Sequence, residues 1–336
     1  MLDLIIPVYN NKIGLYRTLM SIGLQNTIDL FVTIVDDAST NCTYNDIITW
    51  YAQFHPIQLL TLPQNSGPGV ARQYGLNHTK EPYVAFIDCG DTFVTPTSLA
   101  TELHFLLENP EIYVASYAHY ECYSDDEYYF SLVSPSHNRM HGKMYLRSFL
   151  SKYNITFCES SSYVNEDIGF NIACRLITEH LSRHDNIIHY AEHDEPIVYW
   201  TACDNSLVRT NNCQFYYKEQ NLGMAKTVEY ALNIARNNQV DTDILVKEIY
   251  ASFMHTYFYY LSTINRRPEF AAEALIGARY FYHNIAKTWL NYDNNLLTKV
   301  YYDTLSTFLS DPQDPLRDKL LPLDLVSFIE LLNSNN

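Results

Sequence analysis

Short apolar runs alternate with amphipathic stretches from residue 2 to residue 87. Residues 2–8 have the pattern of a buried strand, and residues 13–24 repeat apolar positions at helical spacing. The pair then recurs, with a strand predicted over 30–35, a helix over 44–54, and a third strand at Ile57-Gln58-Leu59-Leu60-Thr61-Leu62. Asn65-Ser66-Gly67-Pro68-Gly69 predicts a turn that opens a helix through Ala71 and Arg72, and Tyr83-Val84-Ala85-Phe86-Ile87 a fourth strand. Such alternation predicts βαβ units, hence an α/β domain on a mainly parallel, Rossmann-like sheet flanked by helices.

The pattern then changes. Residues 111–134 are Tyr-rich with strand-like alternation, broken at Ser134-Pro135-Ser136-His137-Asn138. Helices are expected over 144–152 and from Glu166 to Glu179, and a late strand over 187–200. Long amphipathic stretches follow at 222–237, 241–263, 268–289, 294–310 and 315–333, with Pro268, Pro312, Pro315 and Pro322 near their boundaries. They predict an all-helical C-terminal domain. The expected division is an α/β domain over residues 1–212 and a helical domain over 213–336.

Composition narrows the function classes. The 336 residues suffice for one large domain or two ordinary ones, and a hydrophobic content of 47% can fill a core. A formal charge of -16 argues against a generally basic nucleic-acid binder but leaves room for a local basic groove. No apolar run reaches the roughly 18 residues of a membrane span, and the chain begins directly in a strand pattern. A cytoplasmic protein with no transmembrane segment is therefore expected. The seven cysteines are odd in number and form no CxxC pair, so reduced thiols are expected.

Candidate chemistry gathers where the predicted strands end, which is where open α/β sheets bind ligands. Asp36-Asp37 ends the second strand, and Asp88-Cys89-Gly90-Asp91 follows the fourth. Carboxylates there suit a divalent cation, Mn2+ or Mg2+, and a cation suits a phosphorylated substrate. Asp37, read with Pro7-Val8-Tyr9-Asn10, suits a ribose hydroxyl or base N–H; the plainer reading is a strand end followed by a Ser39 helix cap. The Asn65–Gly69 turn offers glycine backbone and a helix N-terminus that favours an anion, with Arg72 following it. Its plainer reading is a turn and nothing more. Glu166-Asp167 opens a predicted helix, where the dipole stabilises negative charge. A carboxylate there suits a general base, or simply a favourable helix start.

In this order and spacing the motifs resemble the GT-A glycosyltransferases, specifically glycosyltransferase family 2, over about residues 1–210. The stretch His141-Gly142-Lys143-Met144-Tyr145-Leu146-Arg147-Ser148-Phe149-Leu150 through Phe157, and Tyr199-Trp200 followed by Asn205-Ser206, extend the resemblance. It implies an inverting transfer of sugar from a nucleotide-sugar, a UDP-sugar by default, to an acceptor hydroxyl. It implies Asp37 against the base or ribose, Pro7 and Tyr9 lining that pocket, and Gly67 and Arg72 near the nucleotide. It further implies Asp88 and Asp91 as the metal and sugar-nucleotide site and Asp167, with Glu166 beside it, as the general base. Many members read Asp-x-Asp-Asp at the metal loop; Gly90 holds the third position here, which leaves Asp91 or Asp88 for the metal.

The acceptor is less defined. Between Glu127 and Glu159 there is no acidic residue, whereas Arg139, Lys143, Arg147 and Lys152 are basic, with His137 and His141 beside them. One reading is a site for an anionic acceptor, with Lys143 and Arg147 as acceptor contacts. Candidate acceptors are a glycan on a phospholipid carrier, a polyol-phosphate polymer, or modified DNA such as a phage hydroxymethylated base flipped from its stack. The other reading is the family's ordinary acceptor-side segment. The alternative function is a catalytically silent sugar-nucleotide or glycan-binding module, which Gly90 favours. A nucleotidyltransferase would need a Gly-rich, Arg/Lys-bearing loop after the first strand, and none is present. The helical domain is expected to bind acceptor, form a homo-oligomer or cover the sheet.

Overall fold

The computed structural model describes residues 1–25, 29–125, 127–135, 138–159, 165–201, 213–310 and 323–334. The expectations placed on His137, Asn205-Ser206, Pro312, Pro315 and Pro322 fall outside the described residues. The chain divides into two units, Met1–Glu159 with Glu166–Arg209, and Ser160–Asn165 with Thr210–Asn336.

The first unit opens with β1 (Leu2–Val8), α1 (Lys12–Gly23), β2 (Leu30–Asp36), α2 (Asn45–Tyr51), β3 (Ile57–Thr61), α3 (Pro68–Asn77) and β4 (Tyr83–Phe86). β1 is buried along its whole length because it pairs in parallel with β2 on one side and β4 on the other. β3 extends the sheet in parallel beyond β2. Leu2, Leu4 and Ile6 of β1 join Leu15, Leu19 and Ile22 of α1 in one core cluster. These are alternate positions on a strand and one stripe of a helix, the two periodicities that let such elements share a core. Val8 lies opposite Asp36, so β1 and β2 end level and their following loops emerge side by side.

β5 (Thr92–Phe93), α4 (Ser98–Glu108), β6 (Val114–Asp125), β7 (Glu127–Val133), β8 (Lys143–Leu146), α5 (Arg147–Lys152), α6 (Glu166–Asp185) and β9 (Tyr190–Thr201) complete the unit. The sheet order is β3-β2-β1-β4-β8-β6-β9-β5, with β7 paired to β6. The β3-β2-β1-β4 portion is parallel; β8 then runs antiparallel to both β4 and β6, and β5 antiparallel to β9. The α/β class holds, and the sheet as a whole is mixed. The helix expected over 144–152 starts only at Arg147: Lys143–Leu146 is β8, and Arg147–Lys152 alone is helical. Pairing on both edges with burial of Lys143, Met144 and Tyr145 overrides the local helical pattern there.

The described residues of the second unit are helical: α7 (Cys213–Asn237), α8 (Thr242–Arg266), a 3-10 turn at Pro268–Phe270, α9 (Ala271–Phe281) running into a π turn at Tyr282–Ala286, α10 (Asn294–Ser310) and α11 (Leu325–Asn333). Its core is aromatic, with Phe253, Tyr257, Phe258, Phe281 and Phe328 fully buried. Among the described residues no helix is long and apolar enough to cross a membrane. Cys42, Cys89, Cys122, Cys158 and Cys174 are free thiols.

Candidate active site

The loops after β1, β2 and β4 carry most of the chemistry. Pro7 is buried within β1 and Tyr9, just beyond it, is 45% exposed. Asp37 lies one residue past β2, and its amide donates to the Val8 carbonyl. Its two carboxylate oxygens accept the Ser66 and Gly67 amides at 2.7 and 2.8 Å. Asp37 thus holds the Asn65–Gly69 turn against the strand ends. Burial raises its pKa, and the two amide bonds oppose that rise.

Arg72 projects from α3 and is 3% exposed. Its guanidinium donates to Glu166, the first residue of α6, and to Asp88 beyond β4. It also lies over the Phe157 ring, 6.0 Å from the centroid, and Phe157 stacks on Phe170 at 4.2 Å. Burial alone would lower the Arg72 pKa, but Asp88 and Glu166 more than reverse that. Both carboxylates answer to the same guanidinium: burial pushes Glu166 up to about 7, whereas Arg72 holds Asp88 below the usual range despite burial. Asp167 is half-buried, and its carboxylate makes no hydrogen bond among the described residues. Burial raises its pKa too, with Arg72 opposing. A raised carboxyl is a better proton acceptor than an ordinary one.

The loop after β4 is built from both sides. The Gly90 amide donates to Thr18 Oγ1, and that hydroxyl donates to the Asp91 carbonyl at 2.8 Å. Asp91 Oδ1 accepts the Thr201 amide at the end of β9, and the β5–β9 pairing holds Thr92 opposite Tyr199. Asp91 Oδ2 is buried without a hydrogen-bond partner among the described residues. Burial and the neighbouring Asp88 push the Asp91 carboxyl well above its ordinary range. Asp88, Asp91 and His141 each place a ligand atom within 4.8 Å of the others.

The basic stretch behaves differently from a surface patch. Lys143 is 1% exposed and donates to the Arg139 carbonyl, and burial pulls its ammonium down to about 8. Arg147 donates to the Leu76 and Glu81 carbonyls, Thr79 Oγ1 and Asp3 Oδ2. Asp3 sits near the start of β1, at the opposite end of the strand from Val8 and Asp37. Lys143 and Arg147 therefore do not present open cationic heads to an acceptor. Sequence reasoning passed over Thr18, Thr201 and the part His141 takes. The signal for His141 was a His-Gly pair directly before a strand that borders β4.

The fold and this cluster of strand-end carboxylates define a GT-A type α/β domain. A family model described as Glycosyl transferase family 2 matches residues 3–164. A glycosyltransferase of Haemophilus influenzae, itself uncharacterized, is 29% identical over 109 residues, 32% of this chain and 43% of the relative. The Escherichia coli UDP-Glc:alpha-D-GlcNAc-diphosphoundecaprenol beta-1,3-glucosyltransferase WfaP is 31% identical over 122 residues, 36% of this chain and 46% of that protein. The chain thus spans less than half the length of these relatives. Among solved structures, S. aureus TarS 1-349 in complex with UDP shares the fold with a TM-score of 0.60 at 17% identity, over 91% of this chain and 90% of that one.

Proposed function

We propose that the chain is an inverting glycosyltransferase that moves a sugar from a UDP-sugar to a hydroxyl of a glycan acceptor. The observation that carries the reading is Arg72, whose guanidinium ties the Asp88 loop to the Glu166-Asp167 start of α6. A donor-side carboxylate loop and a base carboxylate are thereby held on either side of one cation. UDP is the first nucleotide to test because the name of WfaP specifies UDP-Glc and TarS was solved with UDP and with UDP-GlcNAc. A glycan acceptor follows the WfaP name as well, and the burial of Lys143 and the pairing of Arg147 with Asp3 weaken the case for a polyanion.

In this reading Asp37, Pro7 and Tyr9 flank the nucleoside, and Asp167 removes the acceptor proton as the hydroxyl attacks the anomeric carbon from the face opposite the leaving diphosphate. Glu166 and Arg72 position that base rather than touch the substrate. Asp91 Oδ2, buried and unpartnered among the described residues, and the nearby Asp88 fit a divalent cation, and these two residues would hold Mn2+ or Mg2+. When bound, the cation supplies positive charge to the departing diphosphate.

Thermal unfolding with UDP, GDP, CDP and dTDP, with and without Mn2+, tests the donor site by mass action. UDP is expected to raise the midpoint, and Asp37→Ala to remove the rise. No shift with any nucleotide would contradict the reading.

A further inference from the structure

We propose that His141 is a third protein ligand of the cation site, completing with Asp88 and Asp91 a two-carboxylate, one-imidazole set that prefers Mn2+ to Mg2+. The inference rests on the donor-site reading above and adds a donor from a different part of the sheet.

Three observations carry it. His141 Nδ1 approaches Asp91 Oδ2 to 3.5 Å, yet that oxygen has no hydrogen-bond partner among the described residues and Asp91 is only 3% exposed. A simple imidazole–carboxylate pair would satisfy the oxygen; an ion between the two groups would satisfy both. Second, Gly90 has φ of +116°. A side chain at that position would be strained, so the loop path disfavours a carboxylate there and a third protein donor would come from elsewhere. Third, the position of His141 is fixed by its neighbour. Gly142 has φ of +64°, and a Cβ on it would lie 2.7 Å from the Tyr117 carbonyl oxygen. The Gly142 carbonyl accepts the Tyr117 amide at 2.7 Å, and Met144 lies opposite Ala85 of β4. The backbone therefore enters β8 tightly against β6 and delivers residue 141 to the loop that follows β4.

The chemistry of the set decides the metal. Mg2+ favours oxygen donors and gives up its water reluctantly. An imidazole nitrogen shifts preference toward transition metals. His119 adds to the imidazole character of the site, since its ring centroid is 5.2 Å from that of His141 and it is fully buried with neither ring nitrogen hydrogen-bonded among the described residues.

The test uses the full chain with Mn2+ alone. Electron spin-echo spectra of the bound ion are expected to show nitrogen modulation from a directly bound imidazole. His141→Ala is expected to abolish it and to weaken Mn2+ binding at least about tenfold. Calorimetry on the wild type is expected to give Mn2+ at least about tenfold tighter than Mg2+. Modulation that survives in His141→Ala, wild-type Mn2+ bound without modulation, or no Mn2+ binding would each overturn the assignment. The wild-type measurement needs no variant to fold. UDP titrated into the same samples separates the two readings: UDP bound without nitrogen modulation overturns the His141 role alone, whereas no UDP binding overturns the donor site itself.

Discussion

Arg72 of α3 and Glu166 of α6 form a buried ion pair, with side chains 4% and 8% exposed. The same guanidinium reaches Asp88, so one residue links the two carboxylate groups of the site. Removing one partner of a buried pair leaves the other as an uncompensated charge. Arg72→Met is therefore expected to cost about 3–5 kcal/mol in urea unfolding. Arg72→Met with Glu166→Gln should recover part of that loss. Equal stability of the single and double variants would mean that the pair is not coupled.

The position of Arg147 makes a second prediction, because its four partners include Asp3, which is 1% exposed. Arg147→Met should destabilise the protein by about 3 kcal/mol or more and leave the acceptor KM unchanged in whatever fraction remains folded. A raised acceptor KM with normal stability would restore Arg147 to an acceptor role.

Gly142 makes a third. Its φ is positive, and a methyl group on its Cα would sit 2.7 Å from the Tyr117 carbonyl oxygen. That obstacle is backbone, which cannot swing aside as a side chain can, so the turn has no room for a larger residue. Gly142→Ala is expected to lower stability by about 1–3 kcal/mol in chemical denaturation. A neutral effect would show that this turn is not held as described.

The first four strands and the helices between them were legible because each is a single uninterrupted periodic segment. β5 was not, being two residues long and defined only by its pairing with β9. β8 was hidden inside a helical pattern, since what makes it a strand is β4 on one side and β6 on the other. The pairing of Arg147 was hidden for the same reason. The residue that neutralises Arg147 is 144 positions away, and nothing local to Arg147 announces it. The link between Arg72 and Glu166 was not legible, because Glu166 lies 94 positions along the chain. Long-range pairing, rather than local pattern, decided each of these outcomes.

Glu102 of α4 supplies a prediction in pH. It is 2% exposed, its Oε1 has no hydrogen-bond partner among the described residues, and burial raises it to about 8 although Lys143 opposes the rise. A raised carboxyl contributes stability that is fully present below the ordinary carboxylate range and is lost as pH rises through about 8. Glu102→Gln removes that loss. Its stabilising effect should thus grow from about pH 5 to about pH 9, approaching on the order of 4 kcal/mol at most. An effect independent of pH would mean that the Glu102 carboxyl does not titrate in this window.

The most direct test of the central claim is to follow an α-linked UDP-sugar by proton NMR in the presence of the protein and Mn2+, with water or a glycan as acceptor. The account predicts that UDP and a β-configured sugar product appear first. It also predicts that Asp167→Asn slows their formation by about 10²–10⁴-fold while leaving UDP binding intact. An α-configured first product would contradict inversion, an unchanged rate in Asp167→Asn would contradict the assigned base, and UDP binding without turnover of any donor or acceptor would identify a binding module instead.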